Sequence, residues 1–108
     1  MVYFSFVEPW GYDDSINYIS KCERKASDDI YFHRELLGYS KENRFVELVT
    51  ISGHEGRLDT REDRINAKGL FPELQPGSRE AKLFSRNRAH KFDKGVIFIS
   101  ARVHPGEV

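Results

Sequence analysis

The chain has 108 residues, 39% of them apolar and 31% charged, with 17 basic residues balancing 17 acidic ones. That is the make-up of one small globular domain, with no global charge to call for nucleic acid or an anionic membrane. The longest apolar run, Val96 to Ile99, falls far short of the ~20 residues a membrane span needs.

The N-terminus, MVYFSFVEPW, lacks the basic leader and long apolar stretch of a secretory signal. A single cysteine, Cys22, excludes an internal disulfide and fits a reducing, cytosolic compartment. Val2 to Phe6 alternates and is rich in β-formers, so a short strand is predicted there. Proline and glycine in EPWGY end it. Asp13, Asp14 and Ser15 then supply an N-cap and acids for the positive end of a helix dipole. Tyr12, Ile16, Ile19 and Cys22 follow helical spacing, and Arg24 and Lys25 place bases in the last turn. A helix over about 13–25 is predicted, with Cys22 as a small buried thiol.

Ile30 to Tyr39 and Phe45 to Ile51 are apolar, β-branched runs separated by the polar SKENR. They predict an antiparallel hairpin with a loop of about five residues. From Ser52 to Asp93 the periodicity dissolves, and only a short helix around Ser78 to Arg88 is expected. A stretch this long without elements is unusual in a compact domain and points to an insertion. Its last part, Arg79 to Lys94, holds six bases against two acids, a local charge of +4. Such a segment is either a solvated loop or a surface for an acidic partner. Apart from Phe84 and Phe92 it lacks the aromatic platforms of a nucleic-acid binder, so no nucleic acid is expected. Gly95 to Val103 begins as a continuous apolar run, the pattern of a central strand covered on both faces. Helix, hairpin, insertion and buried strand together predict an α/β sheet of mixed strand direction.

The chemistry collects after that strand. His104-Pro105-Gly106-Glu107 has the residue order of a type II turn, whose first and last Cα atoms lie within ~7 Å. An imidazole and a carboxylate held that close can share one zinc ion. A catalytic zinc takes three protein ligands and keeps a position open for water, so two of three are present. His33, His54 and His90 compete for the third place without support from spacing. His54-Glu55 lacks a second histidine four residues on, His33 falls inside a predicted strand, and His90 has no acidic or histidine neighbour at ligand spacing. By itself the turn also fits two solvated surface residues.

Several stretches in register raise the signal. IFISARVHPGE resembles the zinc turn of the cytosolic carboxypeptidases, a branch of the zinc carboxypeptidase family. VYFSFVEPWGYDD, IYFHRELLGYS, RFVELVTIS, REDR and LFPE resemble the same branch in the same order, and the insertion resembles that of its type-five members. The resemblance runs from Tyr3 to Glu107. It implies a partial zinc-carboxypeptidase fold with an incomplete sheet. Residues 1–8 would be the last strand of an upstream β-sandwich domain or a linker, and 9–108 the N-terminal part of a catalytic domain. It further implies one zinc, with His104 and Glu107 as the family's first two metal ligands. The activity implied is removal of C-terminal or branch-point glutamates from polyglutamylated proteins such as tubulin. The third ligand, the arginine that holds the substrate carboxylate and the glutamate base lie far downstream in the family, so no catalytic residue is expected in this chain and the isolated chain is expected to be inactive. Its location would be the cytosol, with the nucleus or microtubules as further sites. The alternative reading is a non-catalytic short product that binds acidic tails through residues 79–94.

Overall fold

The computed structural model describes residues 2, 4, 8–65 and 68–104. The chain divides into two compact units, Ala26–Lys94 on the one hand and Met1–Lys25 with Gly95–Val108 on the other.

In the second of these, helix α1 spans Tyr12–Lys25, one residue longer than its pattern predicts. Its start is built by short-range bonds. The Gly11 amide donates to Asp14 Oδ2 at 2.7 Å, and the Trp10 indole donates to Ser15 Oγ at 2.8 Å. Trp10 also meets the edge of Tyr18, ring centres 5.8 Å apart. Asp13 and Asp14 occupy the first turn and Arg24 and Lys25 the last, matching the helix dipole at both ends. No α1 residue is buried. The expectation of a buried Cys22 is therefore corrected: the thiol is half-buried, because the stripe of Tyr12, Ile16, Ile19 and Cys22 is only partly covered.

The predicted strand at 2–6 rests mainly on residues outside those described. The expected buried strand from Gly95 to Val103 is not formed. Val96, Ile97, Phe98 and Ile99 are 86%, 89%, 77% and 85% exposed. A strand acquires its hydrogen bonds from a neighbour, and among the described residues none pairs with this run. Arg102 then takes a left-handed backbone, φ 61°, which breaks the extended path, and its guanidinium donates to the Trp10 carbonyl.

Ala26–Lys94 contains the core. Strand β1 (Ile30–Tyr39) pairs antiparallel with β2 (Phe45–Gly53), Ile30 opposite Gly53 and Tyr39 opposite Phe45. The five-residue loop is closed by Ser40 N–H to the Arg44 carbonyl at 2.8 Å. Asn43 adopts φ 60° there, a conformation asparagine tolerates better than most residues. The register slips between Leu36 and Gly38, and the insertion uses that bulge. The Phe71 amide donates to the Leu37 carbonyl at 2.8 Å, and a Cβ on Gly38 would stand 2.8 Å from the Gly69 carbonyl oxygen. Gly38→Ala is expected to lose about 1–3 kcal/mol through this overpacking; an unchanged denaturation midpoint would show that the loop gives way freely.

The short helix expected around Ser78 to Arg88 is present, and Ser52–Asp93 also holds two strands that its pattern did not predict. That stretch forms β3 (Arg57–Arg61), α2 (Arg79–Leu83) and β4 (His90–Phe92). β3 and β4 pair antiparallel, Arg57 opposite Phe92 and Arg61 opposite His90. Helix α2 is capped by Ser78, whose Oγ accepts from the Ala81 amide at 3.1 Å. Both sheets are two-stranded and antiparallel. Helix and strand are thus both present, as α/β requires, while the mixed sheet is absent among the described residues.

Arg34, Glu35 and Leu36 are buried in succession. Successive strand residues face opposite ways, so the hairpin is covered on both faces. Against one lie Ala89, His90 and Phe92; against the other lies Phe84, whose ring meets Phe45 edge-on at 5.3 Å.

Candidate functional site

Of the two predicted metal ligands, His104 is exposed and follows the Gly95–Val103 run. Glu107, with Pro105 and Gly106, lies outside the described residues. Imidazole and carboxylate are the donors zinc takes, so this pair suits that metal as two of its ligands. Among the described residues, no group of three or more His, Cys, Asp or Glu side chains is placed to hold a metal ion.

The three competing histidines have other work. Tyr31 of β1 is ringed by His33, His54 and His90 at centre distances of 5.8, 6.1 and 6.1 Å, with Phe92 at 5.1 Å. One nitrogen of each imidazole bonds a backbone carbonyl on another segment. His33 Nε2 reaches Asn87, His54 Nε2 reaches Asp28, and His90 Nδ1 reaches Leu58, all at 2.9 Å. The His90 amide donates to the Tyr31 hydroxyl at 2.9 Å. These bonds fasten the hairpin, the insertion and the chain before β1 around one aromatic ring. Next to His54, the Ser27 hydroxyl donates to Asp29 and holds that carboxyl below its ordinary range, aided by the Asp29 backbone.

Two buried charges form the centre of the unit. Arg34, 2% exposed, pairs with Glu47 of β2 and lies over the Phe84 ring at 5.3 Å. Glu35, also 2% exposed, accepts from Arg88 Nε at 2.7 Å and from the Ala89 amide at 3.2 Å through the same oxygen, Oε1. The Arg88 guanidinium also donates to the Asp63 carbonyl and stacks 3.6 Å from the centre of the Phe71 ring. Sequence reading gave Arg34 and Glu35 no role. Their signal was two adjacent charges inside the apolar IYFHRELLGY, since charges in a covered strand must find partners.

The basic segment is therefore divided in use. Arg88 is spent on Glu35. Arg79 lies over Phe45 at 4.8 Å and Lys94 over Phe92 at 5.0 Å, both still exposed, as are Lys82 and Arg86. No helix among the described residues is long and apolar enough to cross a membrane.

A helix, a hairpin and an insertion that closes on the hairpin precede the sequence His104-Pro105-Gly106-Glu107. Comparison with known proteins gives the family. The chain is 36% identical over 118 residues to cytosolic carboxypeptidase-like protein 5 of Danio rerio and 33% identical over 116 residues to that of Homo sapiens, each match taking in 97% of this chain. It is 31% identical over 104 residues to cytosolic carboxypeptidase 6 of Mus musculus. No family model matches. The chain belongs to the cytosolic carboxypeptidase family, and spans about an eighth of the length of the curated relatives it matches, 12% in the first two cases.

Proposed function

We propose that this chain forms part of the catalytic domain of a zinc metallocarboxypeptidase. Its substrates would be polyglutamylated proteins such as tubulin, or other glutamate-rich tails, from which it removes C-terminal or branch-point glutamates in the cytosol, the nucleus or on microtubules. The observation that supports this most is the match of 97% of the chain to relatives named as cytosolic carboxypeptidases, in a sequence that carries HPGE. His104 and Glu107 would hold one zinc ion together with a histidine from outside these residues. Zinc, when bound, supplies the Lewis acidity that activates water and polarises the scissile carbonyl. The share of this chain would be to supply two donors of the right chemistry, an imidazole and a carboxylate. The exposed bases Arg79, Lys82, Arg86 and Lys94 favour an acidic tail near this unit.

The test is glutamate release from a polyglutamate peptide by the protein that contains this chain, with metal content measured alongside. His104→Ala and Glu107→Gln are each expected to abolish release and to lower bound zinc while the melting temperature of the remaining fold is kept. Undiminished release by either variant would remove that residue from the metal site. The isolated 108-residue chain is expected to release no glutamate.

A further inference from the structure

Glu35 carries a second oxygen that the ion pair does not use. Oε1 takes both bonds, from Arg88 and from Ala89, while Oε2 is buried and has no hydrogen-bond partner among the described residues. A carboxylate oxygen in that position is costly unless something donates to it. Glu35 also lines a small chamber with Leu36, Arg64, Phe71, Ser85 and Asn87, which leaves the centre of a water molecule about 10 Å³ of room. That is about the space one water needs, and Glu35, Arg64, Ser85 and Asn87 are polar residues of its lining.

The chamber is preformed. Phe71 in its wall adopts φ 48°, a left-handed backbone that a bulky residue keeps only where its surroundings hold it there. Three contacts hold it: its amide bonds the Leu37 carbonyl, its carbonyl accepts from Arg64, and its ring carries Arg88. The other Arg64 nitrogen donates to the Arg86 carbonyl at 3.2 Å, so the guanidinium is held by two backbone carbonyls. Arg64, Leu74, Arg86 and Asn87 also line a neighbouring open groove.

The geometry points to a binding site for one internal water that donates a hydrogen bond to Glu35 Oε2 and accepts one from a donor of the insertion. The water completes the Glu35 carboxylate and extends the Arg88–Glu35 ion pair into a chain joining β1 to the loop that carries Arg64. It adds a second tie between the insertion and the hairpin beside the direct Arg88–Glu35 bond.

A crystal structure of the protein at better than 2 Å is the test. The expected result is a single density peak at hydrogen-bond distance from Oε2, refined as water. A featureless chamber, or Oε2 turned to bond an arginine directly, would overturn the site. Oxygen-17 relaxation dispersion reads the same question in solution. Replacing both partners, Glu35→Met with Arg88→Met, is expected to remove one long-lived water relative to the wild type, and an unchanged amplitude in a folded variant would also overturn it. If that variant does not fold, the wild-type density decides alone.

Discussion

Arg34→Leu is expected to cost about 3–5 kcal/mol of folding free energy, the loss incurred when one partner of a buried ion pair is removed. The side chains of Arg34 and Glu47 are 1% and 9% exposed, so the variant would leave the Glu47 carboxylate in the interior without a cation beside it. The Phe84 ring would lose the guanidinium above it as well. A unit the size of Ala26–Lys94 has only ~3–10 kcal/mol in hand, so the single variant should sit at or near unfolding. Adding Glu47→Leu should recover most of the loss, because two apolar side chains of similar volume need no counter-charge. Urea denaturation of the wild type, both single variants and the double variant measures this as a cycle. Equal midpoints for Arg34→Leu and the double variant would show that the pair is not what holds the strand.

The second expectation concerns association. All seven apolar core residues among those described, Tyr31, Leu36, Phe45, Phe71, Leu74, Phe84 and Ala89, lie between Ala26 and Lys94, as do the buried Arg34 and Glu35. A segment with its own core can fold alone. Residues 95–103 carry the opposite burden, a run of exposed Val96, Ile97, Phe98 and Ile99 that no strand among the described residues pairs with, which favours edge-to-edge association. Sedimentation at micromolar concentration should therefore find the 108-residue chain self-associated and residues 26–94 monomeric. The shorter segment should also melt in one cooperative step. If 26–94 aggregates while the longer chain stays monomeric, the assignment of core and adhesive run is wrong.

Where sequence reading succeeded, the information was local. Helix α1 is specified by acids, apolar spacing and bases within fourteen residues, and the hairpin by two β-rich runs around five polar residues. Family membership was legible in the same way, from short motifs in order. Beyond its short helix the insertion was not legible, and the failure has a specific form. All five β3 residues are exposed and β4 has only three, so neither shows the alternation that marks a strand. They exist because each finds the other across about thirty residues and because both find the hairpin. Arg88 meets Glu35, and His90 meets Tyr31, across more than fifty positions of chain.

Sequence by itself thus determined the elements that nearest neighbours can stabilise, and the family to which they belong. Tertiary structure alone decided that the insertion is the core's other half, that Arg34, Glu35 and Arg88 are interior charges, and that Val96 to Ile99 is uncovered. Burial is a property of what lies opposite a residue, and for these residues the opposing surface comes from far along the chain or is not supplied by the residues described. An apolar run expresses only a demand for cover; whether the demand is met depends on contacts that no local pattern encodes.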